Sequence, residues 1–293
     1  MHASHETLEQ ARARNVRDAL LEDLGPVDWT ARLVPQDRRV TGAVVAKQSA
    51  VLAGCAWFEG CLRHCDPAVE IEWLIAEGER TVSGEQVCRL RGNARSLLSA
   101  ERSALNFLQM LSSVATTTRR YVDEIRGASP NPRGCRILDT RKTLPGLRQA
   151  QKYAVRVGGG MNHRMGLWDA MLIKENHIAA AGGVAQALQA ARALAAGVPL
   201  QIEVEDVDEL RQALGAGAEH ILLDDFDLAA MAQACDINAG RAELEVSGGV
   251  DLATIRSIAA TGVDRISIGK LTKDVQAVDL SMRLQVEEPR DGR

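Results

Sequence analysis

Six short phrases decide the fold: RILDTRK at 136–142, AMLIKEN at 170–176, LQIEVED at 200–206, HILLDDF at 220–226, LEVSGG at 244–249 and RISIGK at 265–270. Each begins with an apolar run and ends in polar or charged residues. Between the later ones lie VAQALQAARALAA (184–196), VDELRQAL (207–214), LAAMAQA (228–234) and LATIRSIAA (252–260), all of helix-forming composition. Strand followed by helix, repeated at roughly twenty-residue spacing, predicts a parallel sheet wrapped by helices. The expected form is a barrel of the (β/α) kind, incomplete or with one strand the sequence hides, rather than an open doubly wound sheet. The triplet Gly158-Gly159-Gly160 does not alter this reading. It follows a basic helical pattern and lacks the G-x-G-x-x-G spacing of a dinucleotide fingerprint.

Polar residues that end barrel strands converge on one mouth, so Asp139, Lys174, Glu203, Asp224, Ser247 and Ser267 are expected together. Strand parity turns Glu203 and Glu205 inward if Ile202 and Val204 face the outer helices. For Asp224 and Asp225 the preceding Ile-Leu-Leu run is apolar on both sides, and parity does not choose. Ser247-Gly248-Gly249 and Ser267-Ile268-Gly269 follow the last two strands, where barrels often hold phosphate on backbone N–H groups. Two carboxylates, Glu203 and Asp224, in a mouth rich in Arg and Lys suit a hard cation such as Mg²⁺ held with a polyanion, or serve only to neutralise neighbouring cations.

Upstream of this region the grammar differs. Thr7-Leu8-Glu9-Gln10 is a capping-box pattern, and Leu8, Ala11, Val16, Ala19 and Leu20 form a helical stripe that stops at Gly25-Pro26. VTGAVVAKQ, VEIEWLI and QVCRLRG then read as strands. A long helix is predicted from Ser96 to about Ile125, with Arg102 sharing part of its apolar face, where a cation needs an anionic partner or reaches out to solvent. At the end, Val278, Leu280, Met282, Leu284 and Val286 alternate with Asp279, Ser281, Arg283, Gln285 and Glu287, one strand of a half-buried antiparallel sheet. The closing EEPRDGR is expected to be loose. The fold class is therefore α/β and α+β: an incomplete (β/α) barrel with an N-terminal α+β sandwich domain. The expected domains are residues 1–115, a barrel over 116–273, and a segment 274–293 returning to the first domain.

Charge singles out residues 139–177, where Arg141, Lys142, Arg148, Lys152, Arg156, Arg164 and Lys174 stand against three acids, a local plus four in a chain of net charge minus four. Pro145, Gly146 and the glycine triplet interrupt the helix that a plain solvated face would need, so these cations read as an anion site. An aromatic content of 3 % gives no base-stacking platform, and a pI near 5.9 argues against a binder of nucleic-acid backbone. The polar amino terminus and the lack of a long apolar run predict no membrane span and a cytoplasmic protein. Six cysteines lack the dense pairing of a secreted scaffold. Cys61, His64 and Cys65 lie close enough to suggest zinc, but no second pair accompanies them, and ordinary buried thiols explain them better.

The cationic stretch, with ERSALN (101–106), IEVE (202–205), LLDDF (222–226), SGG (247–249) and SIGKLT (267–272), resembles the quinolinate phosphoribosyltransferase family over almost the whole chain. The resemblance implies phosphoribosyl pyrophosphate and quinolinate as substrates, transfer of phosphoribosyl to the pyridine nitrogen, loss of pyrophosphate and carbon dioxide, and nicotinate mononucleotide as product in NAD biosynthesis. It also implies that the 5-phosphate rests at Ser247, Gly248, Gly249 and Gly269, with Ser267 and Ile268 beside it. Lys142, and Mg²⁺ near Glu203 and Asp224, would take the pyrophosphate, and these three residues are the expected catalytic set. Arg141, Arg164 and Lys174 would grip the two carboxylates of quinolinate, with Thr140 and His163 as hydrogen-bond partners. Arg102 would come from a neighbouring subunit of a homodimer or a higher oligomer. In the family an Asn follows the strand-ending Asp, whereas this chain reads Asp224-Asp225. Related barrels of the molybdenum-transport type, and a non-catalytic phosphate-sensing barrel, are the competing readings.

Overall fold

A computed structural model describes residues 5–194 and 196–286. In chain order the elements begin α1 (Leu8–Leu24), β1 (Arg39–Ala46), β2 (Ala50–Val51), α2 (Cys55–Cys65), β3 (Glu70–Trp73), β4 (Arg80–Thr81), β5 (Gln86–Asn93), α3 (Ala94–Glu124) and β6 (Arg136–Leu138). They continue α4 (Arg148–Val157), β7 (Met171–Ile173), α5 (Glu175–Ala181), α6 (Val184–Ala193), β8 (Leu200–Val204), α7 (Val207–Gly215) and β9 (His220–Asp224). The last are α8 (Leu228–Asn238), β10 (Glu243–Ser247), α9 (Ile255–Ala260), β11 (Arg265–Ser267), α10 (Lys270–Lys273) and β12 (Leu280–Val286). The chain divides into two compact units, one comprising residues 1–117, 144–158 and 274–293, the other 118–143 and 159–273.

In the first unit four strands form an antiparallel sheet in the order β12-β1-β5-β3. The alternating carboxy-terminal strand does rejoin the first domain, pairing Val40 with Val286 through Ala46 with Leu280. Glu287 and the rest of EEPRDGR lie outside the described residues. The amino-terminal helix follows its capping box: Thr7 Oγ1 accepts from Gln10 N–H at 3.2 Å while Thr7 N–H donates to Gln10 Oε1 at 2.9 Å, and Gly25 ends the helix at φ +53°. Ala11, Val16 and Leu20 bury its inner face. Trp57 and Phe58, both fully buried on α2, anchor this core, and each contributes about 1.5–3 kcal/mol by leaving water. Between residues 39 and 90, where the sequence reads as strands, the chain also forms α2, whose apolar residues Cys55, Phe58, Cys61, Leu62 and Cys65 recur at helical three- and four-residue steps.

Helix α4 belongs to the first unit although it lies between two strands of the second. Asn15 Nδ2 donates to Gly146 O at 3.0 Å, and Trp57 packs on Tyr153 with ring centroids 5.3 Å apart. This placement splits the cationic stretch. Arg148, Lys152 and Arg156 ride on α4, with Lys152 fully buried, and only Arg141, Lys142, Arg164 and Lys174 remain in the second unit. Arg102 on α3 is exposed, as is Leu98 one turn before it, so the apolar face expected to hold this cation runs elsewhere on the helix.

The second unit carries six parallel strands in the order β6-β11-β10-β9-β8-β7, each predicted phrase supplying one. The sheet does not close, since β6 and β7 remain its edge strands among the described residues. A single-residue bridge adds Met161 to the outer side of β6, with Met161 N–H donating to Ile137 O at 2.8 Å and Asp139 N–H to Met161 O at 3.2 Å. Of the two expected forms the structure has the incomplete one, since this bridge is not a seventh strand. One residue is too short to leave a periodic signature. Ile202, Ile221, Leu223, Val246 and Ile266 are fully buried, while the alternate positions Gln201, Glu203, Glu245 and Ser267 are polar and equally enclosed. Parity along parallel strands thus gives this sheet a greasy side and a polar side.

Candidate active site

The polar ends of β7, β8 and β9 meet. Ile173 pairs with Ile202, so Lys174, one residue past β7, falls opposite Glu203 on β8. Lys174 Nζ lies 2.8 Å from both Oε1 and Oε2 of Glu203, whose side chain is 7 % exposed. Burial pushes the Glu203 carboxyl above the ordinary glutamate range, the Lys174 ammonium pulls it back, and Asp224 and Glu175 push it up again. Glu203 is thus the inward acid that strand parity predicts. Glu205, one residue past the strand, is exposed, and its N–H donates to Glu209 Oε2 at 3.0 Å.

The choice parity left open between Asp224 and Asp225 is made by the backbone. Asp224 ends β9 in register with Ser247 and is near enough to Glu203 to raise its pKa. Asp225 turns into the left-handed region at φ +57°, exposed, with its N–H pointing to Ser247 O at 3.4 Å. Only Gly, Asn and Asp adopt that conformation readily, which explains why an Asp replaces the expected Asn here without disturbing the turn.

Besides Lys174, the Arg164 guanidinium lies near Glu203, with Arg141 beside it. Arg164 has its guanidinium pKa lowered, first by burial and then by the charge of Arg141, against the pull of Asp169 and Glu203. Its Nη1 also donates to Ala170 O at 3.3 Å. The loop that carries it is tied down by carboxylates. Asp139, wholly buried, accepts from His163 N–H at 2.9 Å and Asn162 Nδ2 at 2.5 Å, and Asp169 accepts from Met165 N–H at 2.6 Å and Gly166 N–H at 2.8 Å. Asp139 is therefore an anchor for the loop and not a group open to the mouth. Lys142 is exposed; its N–H donates to Thr140 Oγ1 at 3.0 Å and its carbonyl accepts from Thr272 Oγ1 at 2.8 Å. A Cβ on Gly269 would lie 3.0 Å from Lys142 Cδ and 3.6 Å from Thr140 Oγ1, so this glycine lets three predicted site residues approach one another.

Of the phosphate-loop residues, Gly248 and Gly249 adopt φ +102° and +57° in an exposed turn after Ser247, a backbone suited to close approach by an oxyanion. Ser267 and Ile268 do not fit that role. The Ser267 hydroxyl is buried against Val246 O at 3.4 Å, and Ile268 donates its N–H to Leu138 O at 2.9 Å, continuing the sheet. His163 departs from expectation as well: Nδ1 accepts from Arg164 N–H at 2.7 Å and Nε2 lies 3.0 Å from Gln201 Oε1, so both ring nitrogens already face protein. Gln201 and Glu245, buried on the polar side of the sheet, were not singled out from sequence. The parity argument applied to Glu203 reaches Gln201 one step back on the same strand, and Glu245 one step before Ser247. Arg102 belongs to the first unit, where it lines a cavity of about 320 Å³ with Glu22, Asp23 and Asn106.

Cations, carboxylates and a glycine turn at the carboxyl ends of parallel strands define the class: an α/β protein whose candidate site lies along one end of an open six-stranded parallel sheet. The chain belongs to the quinolinate phosphoribosyltransferase family, whose models match it in two adjoining parts, the N-terminal domain over residues 28–112 and the C-terminal domain over 114–283. It is 41 % identical over 279 residues to the nicotinate-nucleotide pyrophosphorylase [carboxylating] of Mycobacterium leprae, covering 92 % of this chain and 95 % of that one. It is 37 % identical over 290 residues to quinolinate phosphoribosyltransferase [decarboxylating] 2b, mitochondrial, of Nicotiana tabacum, covering 92 % and 81 %. The solved structure of the nicotinate-nucleotide pyrophosphorylase from Francisella tularensis superposes with a TM-score of 0.90 at 42 % identity, over 95 % of this chain and 97 % of that one.

Proposed function

We propose that the chain transfers phosphoribosyl from phosphoribosyl pyrophosphate to quinolinate with decarboxylation, giving nicotinate mononucleotide, pyrophosphate and carbon dioxide in NAD biosynthesis. Family membership supports the reaction. The observation that carries it to this chain's own residues is the like-charge pair Arg141 and Arg164, close enough that Arg141 disfavours the charge of the partly buried Arg164. Such a pair calls for a ligand with more than one negative charge, and two guanidinium forks suit the two carboxylates of a pyridine dicarboxylate.

The pyridine nitrogen attacks ribose C1, and the bond from C1 to the pyrophosphate oxygen breaks with its electron pair leaving on pyrophosphate. Positive charge develops on the sugar, where Asp224 and Glu203 favour it, and negative charge on the leaving group, where Lys142 favours it. The alkylated ring nitrogen then draws the electrons of the adjacent carboxylate bond onto the ring carbon as carbon dioxide departs, and a proton fills that position. The enclosing protein holds the ring and keeps water out.

The donor set fits Mg²⁺ of the kind that uses one or two carboxylates and takes its other ligands from substrate phosphates. Asp224 is the freer carboxylate, because both oxygens of Glu203 face Lys174. The ion would supply charge neutralisation for the leaving pyrophosphate. The 5-phosphate is assigned to the turn at Ser247, Gly248 and Gly249 with Gly269. Arg102, exposed on the first unit, is assigned to the acceptor site of a second copy of the chain, making the enzyme a homodimer or a multiple of one. The six cysteines are free thiols, which suits a reducing compartment, and we assign the protein to the cytoplasm.

Purified protein incubated with quinolinate, phosphoribosyl pyrophosphate and Mg²⁺ is expected to release carbon dioxide and nicotinate mononucleotide in equal amounts. Absence of both products from folded protein would overturn the reading.

A further inference from the structure

The second unit contains a run of hydrogen bonds that leads away from the mouth into the protein. Arg164 N–H donates to His163 Nδ1 at 2.7 Å. A nitrogen that accepts carries no proton, so the neutral ring bears its hydrogen on Nε2, which lies 3.0 Å from Gln201 Oε1. Gln201 Nε2 in turn donates to Glu245 Oε2 at 3.0 Å. Every donor in the run points the same way, and it ends on a carboxylate that is 1 % exposed. A carboxylate accepts and does not donate, so it fixes which end of the Gln201 amide faces it and leaves the carbonyl end for His163. The other Glu245 oxygen has no hydrogen-bond partner and lies 3.4 Å from His163 Nε2. A buried carboxylate is costly unless hydrogen bonds or pairing offset its desolvation, and here the Gln201 amide and the nearby His163 Nε2–H are the neighbours that do so.

We propose that Glu245, acting through Gln201, is a positioning residue for the acceptor end of the site. It locks His163 in the Nε2–H tautomer, so that Nδ1 is free to hold the Arg164 backbone and thereby aim the Arg164 guanidinium. His163 on this account is a clamp on its neighbour. The assignment rests on the reading of Arg164 as an acceptor-binding cation. The tautomer is a property of the protein alone and is measurable apart from that reading.

The test combines histidine ¹⁵N NMR on the full chain with calorimetry of pyridine-2,3-dicarboxylate and of phosphoribosyl pyrophosphate, using His163→Gln to assign the ring signals. The wild-type protein is expected to give an unprotonated Nδ1 and a protonated Nε2 at neutral pH. In Glu245→Leu and Gln201→Leu the His163 signals are expected to shift to a mixture of tautomers. Dicarboxylate affinity should fall about tenfold or more, as for other groups that orient a binding residue from behind, with phosphoribosyl pyrophosphate affinity kept. Glu245→Gln retains an acceptor for the Gln201 amide and is expected to restore both readouts. A protonated Nδ1 in the wild-type ring would overturn the proposal, even if both leucine variants fail to fold. So would leucine variants that fold with the tautomer and the dicarboxylate affinity unchanged. Failure of the wild-type protein to bind the dicarboxylate, with the Nε2–H tautomer observed, would count against the acceptor assignment and leave the hydrogen-bond run standing.

Discussion

Lys174 and Glu203 form a bidentate pair, the ammonium 2.8 Å from each carboxylate oxygen, so the cation expected to meet substrate and the acid expected to meet metal hold each other. Substrate binding must then divide them, or use Lys174 while it stays beside Glu203. Lys174→Met removes the ammonium while keeping the chain length. Because the lysine side chain is 44 % exposed, the stability loss is expected to stay near 1 kcal/mol, whereas kcat/KM should fall by about 10² to 10³. Steady-state kinetics beside thermal unfolding separates the two, and an unfolded or fully active variant would contradict this assignment.

The raised pKa of Glu203 gives a definite sign to pH dependence. Its protonated form is favoured in the folded protein, so the group contributes stability below the ordinary glutamate value, and that contribution is lost as pH rises through its elevated folded value. Glu203→Gln should flatten this limb of the stability profile, read by urea unfolding at a series of pH values. A limb that persists unchanged in the variant would assign the effect to another group.

Asp225 separates backbone demand from charge. Asp225→Asn keeps a residue suited to φ +57° and should leave stability within about 0.5 kcal/mol, while Asp225→Val should cost about 1–2 kcal/mol. A Cβ on Gly248 would lie 3.5 Å from Asp225 Oδ1, so the carboxylate borders the turn assigned to phosphate. Removing its charge in the Asn variant should tighten phosphoribosyl pyrophosphate binding several-fold at low salt and less at high salt. Equal affinities for wild type and Asn variant at low salt would remove Asp225 from the phosphate site.

Gly269→Ala is expected to act on Lys142 and on the phosphate seat assigned to Gly269 itself. The new methyl would sit 3.0 Å from Lys142 Cδ, a flexible side chain that moves aside, so stability should stay within about 1 kcal/mol. Displacing Lys142 should raise the KM for phosphoribosyl pyrophosphate about tenfold and leave that for quinolinate unchanged. A rise confined to quinolinate would reverse the two subsites.

Arg102→Ala and Lys174→Ala chains, each inactive alone, should regain part of their activity when mixed under conditions that exchange subunits, because a mixed dimer builds one intact site. No recovery despite exchange confirmed by mass spectrometry would put Arg102 in the same chain's site or outside it.

All six strands of the second unit were legible because runs such as Ile221–Leu223 are apolar on both sides, bounded by polar ends and followed by helical stretches. The first helix was legible down to its cap at Thr7. What sequence hid depends on distance in space. Nothing in RQAQKYAVRV announces that its helix packs on α1, and the bridge at Met161 rests on neighbours rather than on its own side chain. At the site, residue identities were readable and their partners were not. Lys174 and Arg164 were sorted by the ligand they suit, whereas the folded chain also gives them Glu203 and the His163 ring as neighbours.

The pairing of β12 with β1 has a consequence for how the polypeptide is made. β1 leaves the ribosome long before its partner, the two being separated along the chain by the whole of the second unit. Until residue 286 emerges, one side of β1 is a row of open amide and carbonyl groups, the kind of edge that captures stray strands from other nascent chains. Chains that stop before Leu280 would keep that edge open, and are expected to aggregate even though every group assigned to catalysis has already been translated.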